Sequence, residues 1–290
     1  MKNHLLIALL FVFASAAIHA QNDSISPWTS AGKVSINFSQ SHLSNWSAGG
    51  QSSFNALGLI NYSLNYKVVN RIWENKLDLA LGYSHIGEEK LMKTDDRIEF
   101  NSLYGINATE KLFYSIAFSF KSQFTDGFDY KVDSTTPISR FFAPAYATLG
   151  LGIDWKPLPY FSANFSPLTG RLTLVTDQAL SDSGSFGVDP GQTSRFELGA
   201  KAWVKFEKEI FKNVTLGTKL ELFTDYLKNP QNVDVDWQAL VNMKVNKWLN
   251  ANISTHLIYD DDIKITDKDG KKGPRTQFKE VLSIGLSYAF

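Results

Sequence analysis

Leu282-Ser283-Ile284-Gly285-Leu286-Ser287-Tyr288-Ala289-Phe290 alternates large apolar residues with small or polar ones along its whole length. Successive side chains of an extended chain point to opposite faces, so this stretch reads as a strand with one apolar side. Working back along the chain, the same period-two pattern recurs. Ala251, Ile253, Leu257 and Tyr259 oppose Asn250, Asn252, Ser254 and His256, and Val233, Val235, Trp237, Val241 and Val245 oppose Asp234, Asp236, Gln238 and Lys244. Val214, Leu216, Leu220 and Leu222 oppose Thr215, Gly217, Lys219 and Glu221, and Phe196 to Phe206 sets its even positions against Arg195, Glu197, Lys201 and Lys205. The pattern continues through Leu149–Trp155, Glu110–Ser122, Arg97–Asn107, Arg71–Tyr83 and Ser53–Tyr66 to Ala31–Gln40. About twelve strands result, each roughly ten residues or longer, the length a tilted strand needs to cross a bilayer. Tyr160–Ser166 is the weakest of them. Pro167 interrupts it, Leu172, Leu174 and Thr176 could prolong it past a bulge, and ten strands remain an alternative.

The connections alternate in length. Lys67–Asn70, Ala108–Lys111, Lys156–Pro159, Glu207–Lys212 and Asn246–Lys247 are brief, whereas Ser41–Gln51, Ser84–Asp96, Gln123–Pro144, Pro167–Thr193, Leu227–Asn232 and Asp260–Arg275 are mostly longer. Short turns on one rim and long loops on the other are the habit of outer-membrane barrels.

The chain has 290 residues, no cysteine, and 29 basic against 29 acidic side chains. The missing cysteine removes disulfides, thiolate catalysis and sulfur-based zinc sites. A neutral balance gives no basic face for nucleic acid. Lys2, the apolar run Leu5 to Ala17 and a small-residue cleavage site ending at Ala20 predict a signal peptide over residues 1–20. A short periplasmic segment, 21–30, and a barrel, 31–290, would follow. Nowhere after residue 20 is there an apolar run long enough to span as a helix, so a membrane form must be a closed barrel. The fold class expected is all-β, a transmembrane antiparallel up-and-down barrel, in the outer membrane of a Gram-negative cell with both termini periplasmic. A secreted soluble β-sandwich binding protein is the alternative, because alternation alone does not say which face is dry.

Leu286, Tyr288 and Phe290 place aromatics at the end of the last strand, which resembles the signal read by the barrel-assembly machinery; that machinery and outer-membrane lipid are the expected partners, together with an outer-membrane protein and no nucleic acid. Asn45-Trp46-Ser47-Ala48-Gly49-Gly50, with Ser166-Pro167-Leu168-Thr169-Gly170-Arg171, Tyr259-Asp260-Asp261-Asp262-Ile263-Lys264 and Gln277-Phe278-Lys279-Glu280, resembles a family of outer-membrane barrels of Bacteroidota defined by the domain of unknown function DUF3078. The resemblance implies an outer-membrane barrel and carries no assigned activity or catalytic residues. Physically, Gly49 and Gly50 permit a tight loop, and Trp46 suits a membrane interface.

Chemistry is thinly signalled. His42 and Ser44 share one strand face, as a lipid hydrolase of the outer membrane would require, but no matching third residue is evident, and no enzyme is expected. Asp267 and Asp269 sit in a loop resembling part of a calcium site, yet no closing Glu follows, so neither metal nor cofactor is expected. The polar face holds both signs: Glu74, Lys76, Asp78, Arg97, Glu99, Lys121, Asp154, Arg195, Glu197, Lys201, Lys219, Glu221, Asp234, Asp236 and Lys244. A selective pore usually biases one sign. Mixed charge instead predicts ion pairs across a lumen, in a small-solute channel or in a structural or accessory subunit of an outer-membrane assembly.

Overall fold

The computed structural model describes residues 26–43, 51–130, 132–266 and 271–290. Twelve strands close into one antiparallel barrel. They are β1 (Trp28–Ser41), β2 (Ser53–Val68), β3 (Arg71–Ile86), β4 (Met92–Asn107), β5 (Leu112–Ser122), β6 (Ala145–Leu158), β7 (Phe161–Leu174), β8 (Ser194–Phe211), β9 (Val214–Asp225), β10 (Asp234–Lys244), β11 (Leu249–Tyr259) and β12 (Gln277–Ala289). Each strand pairs with its neighbours in sequence, and β12 returns to β1 with Lys33 opposite Ala289 and Phe38 opposite Ile284. Gly32 and Phe290 exchange both backbone bonds at the foot of this seam, 2.7 and 2.9 Å. β1 begins three residues earlier than the alternation suggested, inside the expected N-terminal segment. The segments 1–25 and 44–50, which hold the expected signal peptide and the Asn45-Trp46-Gly49-Gly50 motif with Ser44, lie outside the described residues.

The outer face is apolar and uncovered. Tyr114, Phe196 and Leu282 are 65%, 63% and 69% exposed. An apolar surface running round a whole barrel far exceeds the few hundred square ångströms that a water-soluble monomer tolerates. Several polar groups on this face satisfy one another: the Trp73 indole donates to Ser102 at 2.9 Å, Ser102 donates to Asn75 at 2.8 Å, and the Trp237 indole donates to Thr218 at 2.9 Å. Hydrocarbon demands such internal satisfaction, since it offers no partner. Aromatic clusters gather at the short-turn rim, Trp28 against Tyr66 and Trp73, Trp155 against Phe161, and Trp248 stacked on Tyr288. Such a girdle marks a membrane interface. The chain is an integral membrane β-barrel, and a single closed sheet rules out the two-sheet soluble sandwich.

β7 corrects the sequence reading. It runs straight through Pro167 to Leu174, so the loop expected from Pro167 begins only after that strand. Opposite Pro167 and Leu168, β8 supplies the single residue Ala200, a bulge in the ladder. One extra residue reverses which face the following side chains take. Ser162, Asn164 and Ser166 face inward before the bulge; Thr169, Arg171 and Thr173 do so after it. The proline removes a ladder donor where the ladder is already broken.

Candidate functional site

The interior is built in layers. Nearest the short-turn rim, Ile72, Leu103 and Phe113 are buried together, with Ala117 and Trp203 packed on them. These residues face inward from β3, β4, β5 and β8. Glu74 stands beside Leu103 and Asp154 beside Phe113 in the ladder, so the apolar residues form a patch on an otherwise polar inner wall, which the alternation did not reveal.

Above it lies a charged layer. The Lys121 ammonium on β5 reaches Glu221 on β9 at 3.1 Å and Asp236 on β10 at 2.9 Å. Lys219 on β9 reaches back to Glu99 on β4 at 3.5 Å and also pairs with Glu221. Lys201 on β8 meets Glu221 at 3.4 Å, and His256 on β11 meets Asp236 at 2.9 Å. Three ammonium groups thus face three carboxylates, Glu99, Glu221 and Asp236. Each ion offsets the loss of hydration of its neighbours; a lone one would be costly.

A second charged layer lies nearer the long-loop rim. The Arg171 guanidinium grips Glu197 with two bonds, 2.7 and 2.5 Å, and Asp234 with a third at 2.6 Å, while stacking 4.1 Å over the Phe223 ring. Arg195 shares Glu197 at 2.6 Å, pairs with Asp262, and donates to the Gly187 carbonyl at 3.3 Å. Gly187 belongs to the β7–β8 loop, which carries its own small core of Val175, Leu180 and Val188 with Ala143. Arg171, quoted above only within the family-resembling segment, is missing from the charged face that straight alternation picks out; the bulge hides it. Asp260, just past β11, has its carboxyl held above the usual range by burial, against the lowering pull of Arg171.

These contacts require a flattened section. A circular barrel of twelve strands, spaced about 4.8 Å and tilted by about 40°, is roughly 24 Å across. An extended Lys and Asp joined by a hydrogen bond span only about 13 Å between Cα atoms. Lys121 and Asp236 sit five strands apart round the wall, as do Glu99 and Lys219. β4 and β5 must therefore approach β9 and β10, and the charged side chains fill the waist between them.

The other expected residues are spread along the wall. Lys76 pairs with Asp78 at 2.9 Å, and Lys156 links Glu74 to Asp154, 3.4 Å away. Arg97 has its ε-nitrogen buried without a hydrogen-bond partner. Lys244 is exposed at the short-turn rim. His42 is exposed just beyond β1; Ser44 beside it, and Asp267 and Asp269, lie outside the described residues. Among the described residues no cluster of acids, histidines or cysteines could hold a metal.

Residues 38–128 match the model of a family described as a protein of unknown function, DUF3078. That stretch covers the end of β1 and all of β2 to β5. No curated protein matches the chain. Similar solved structures include an outer membrane channel from Pseudomonas putida F1, at 9% identity, TM-score 0.43, covering 94% of this chain and 100% of that one. The translocator domain of autotransporter NalP from Neisseria meningitidis is 11% identical with TM-score 0.32, covering 100% and 96%. OmpT, an outer membrane protein of Vibrio cholerae, is 9% identical with TM-score 0.32, covering 93% and 100%.

Proposed function

We propose that this outer-membrane barrel is a shut scaffold, a structural or accessory component of an outer-membrane assembly, with its short-turn rim and both termini in the periplasm. One observation carries the reading: Lys121 bonds Glu221 and Asp236 across the lumen, between strands that a round barrel would hold far apart. An open pore would leave these side chains to water; here they close the waist.

A gated channel for small polar solutes is the second reading. The lumen-facing Leu240, Lys76 and Lys205 keep 43%, 51% and 42% of their surface exposed, so water enters from the short-turn side up to the waist. Planar-bilayer recording separates the two. The wild type is expected to stay silent at all voltages, and the Lys121→Ala/Asp236→Ala double variant to show discrete steps. Steady conductance by the wild type would overturn the shut scaffold. The reading includes no catalysis: Ser44→Ala should match the wild type in a phospholipid-release assay, and a wild-type hydrolase activity lost in that variant would replace it with lipid hydrolysis by His42 and Ser44.

A further inference from the structure

Among the described residues the barrel's own closure is incomplete. Six residue pairs join β1 to β12, from Lys33–Ala289 to Phe38–Ile284, and there the ladder stops. The neighbouring ladders run on: β1 pairs with β2 up to Ser41–Ser53, and β12 pairs with β11 up to Gln277–Ile258. Extending the seam's register would place Ser39 opposite Ser283 and Gln40 opposite Leu282. Gly32 and Phe290 exchange both bonds, so the even residues of each strand turn their backbone groups toward the seam. Beyond the last pair these are, among the described residues, Gln40 on one edge and Leu282 and Glu280 on the other.

Depth makes this gap informative. Tyr288 sits in the aromatic belt, stacked on Trp248. A tilted strand crosses the hydrocarbon in about ten residues, which brings β12 up to about Phe278. The free edge therefore lies within the apolar band, where an unsatisfied backbone group costs several kilocalories. An acyl chain could fill the space but supplies neither donor nor acceptor. Two further features are polar. Glu280 stands exposed on the outer wall between Phe278 and Leu282, and among the described residues it has no ion-pair partner. At the closed end of the gap Asn37, 2% exposed, has its Oδ1 buried against Gly285 without a hydrogen bond.

We propose that the long-loop half of the β1–β12 seam is a docking slot for an extended polypeptide strand that adds to the free edge of β12 and carries a basic side chain beside Glu280. The added backbone completes the ladder, as in other cases of strand addition, and the basic group neutralises a carboxylate otherwise held at the lipid boundary. The proposal deepens the accessory reading by giving the partner a surface, and rests on that reading for a partner to exist; the slot itself does not depend on the lumen being shut.

The chain lacks cysteine, so introduced pairs report cleanly. In lipid nanodiscs Ser35→Cys/Ser287→Cys, a paired position, should oxidise readily, while Ser39→Cys/Ser283→Cys should not. A fluorescein-labelled alternating Lys/Val octapeptide should bind saturably, and the same peptide with a central proline, which breaks a ladder, should not. Glu280→Gln should weaken binding roughly two- to fivefold. Equally fast oxidation of both cysteine pairs would show the slot already zipped and end the proposal. So would equal binding of the proline peptide, which marks mere partition into lipid. Conductance is read separately, so a failure here leaves the shut-lumen reading standing, and the reverse.

Discussion

Arg171 shows how one side chain organises a charged interior. Its planar fork meets two carboxylates, Glu197 and Asp234, and its face lies on Phe223. Lysine could keep the charge but neither the two-bond grip nor the stack. Among the described residues, removing the cation leaves Glu197, itself 2% exposed, with Arg195 as its one remaining cation, and leaves Asp234 without an ion pair. Arg171→Leu is therefore expected to cost about 3–5 kcal/mol, the range for breaking a buried pair, and Arg171→Lys clearly less. Guanidinium unfolding followed by tryptophan fluorescence in detergent checks the order; a Leu variant as stable as wild type would show the cluster to be idle. Asp260 gives a pH-dependent counterpart. Burial raises its pKa in the folded protein, so its ionised form opposes folding. That penalty is present at neutral pH and is relieved as pH falls through the raised value. Asp260→Asn should then stabilise the protein at pH 7, with the gain vanishing in acid; a gain constant with pH would point to a packing cause instead.

At the level of elements, most strands were legible because one face had to be apolar and the other polar, and a period of two survives any register. β7 past Ser166 was legible only as an alternative, its prolongation through Leu172 and Leu174 beyond a bulge, because the bulge reverses the pattern: Thr169, Arg171 and Thr173 carry the opposite parity from Ser162 and Asn164, so a straight strand would turn Arg171 to lipid. The proline that marked a break was the visible sign of it. The layer of Ile72, Leu103, Phe113 and Trp203 was hidden for another reason: where both faces are apolar, alternation says nothing, and only the ladder tells in from out. The bulge also explains Gly152, where an added Cβ would lie 2.0 Å from the Phe165 carbonyl oxygen. Gly152→Ala should strain this crossing by about 1–3 kcal/mol. Deleting Pro167 should do far worse, since it rotates Arg171 into the hydrocarbon at about 2–4 kcal/mol and breaks its pairs as well; Pro167→Ala keeps the residue count and should be mild. Heat-modifiable migration on gels reads all three, and a deletion variant that folds like the wild type would refute the parity argument.

For the whole molecule, closure and charge are coupled. The strand ladder alone sets only the perimeter, and a twelve-strand perimeter would by itself enclose a round section roughly 24 Å across between backbones. What narrows it is the set of attractions across the waist, Lys121 to Glu221 and Asp236, and Lys219 to Glu99. Removing those charges while preserving the wall should let the section relax toward a circle without losing strands. Spin labels at Phe118→Cys on β5 and Trp237→Cys on β10, both on the outer face, measure the short diameter. In a variant with Lys121→Met, Lys219→Met, Glu99→Gln, Glu221→Gln and Asp236→Asn, that distance should lengthen by several ångströms and its distribution broaden, while circular dichroism stays strand-like. High salt should leave the wild-type distance nearly unchanged, because buried pairs are poorly screened. An unchanged distance in the neutralised variant would mean that the apolar layer and the bulge hold the wall flat, and that the ion pairs merely fill a waist formed without them.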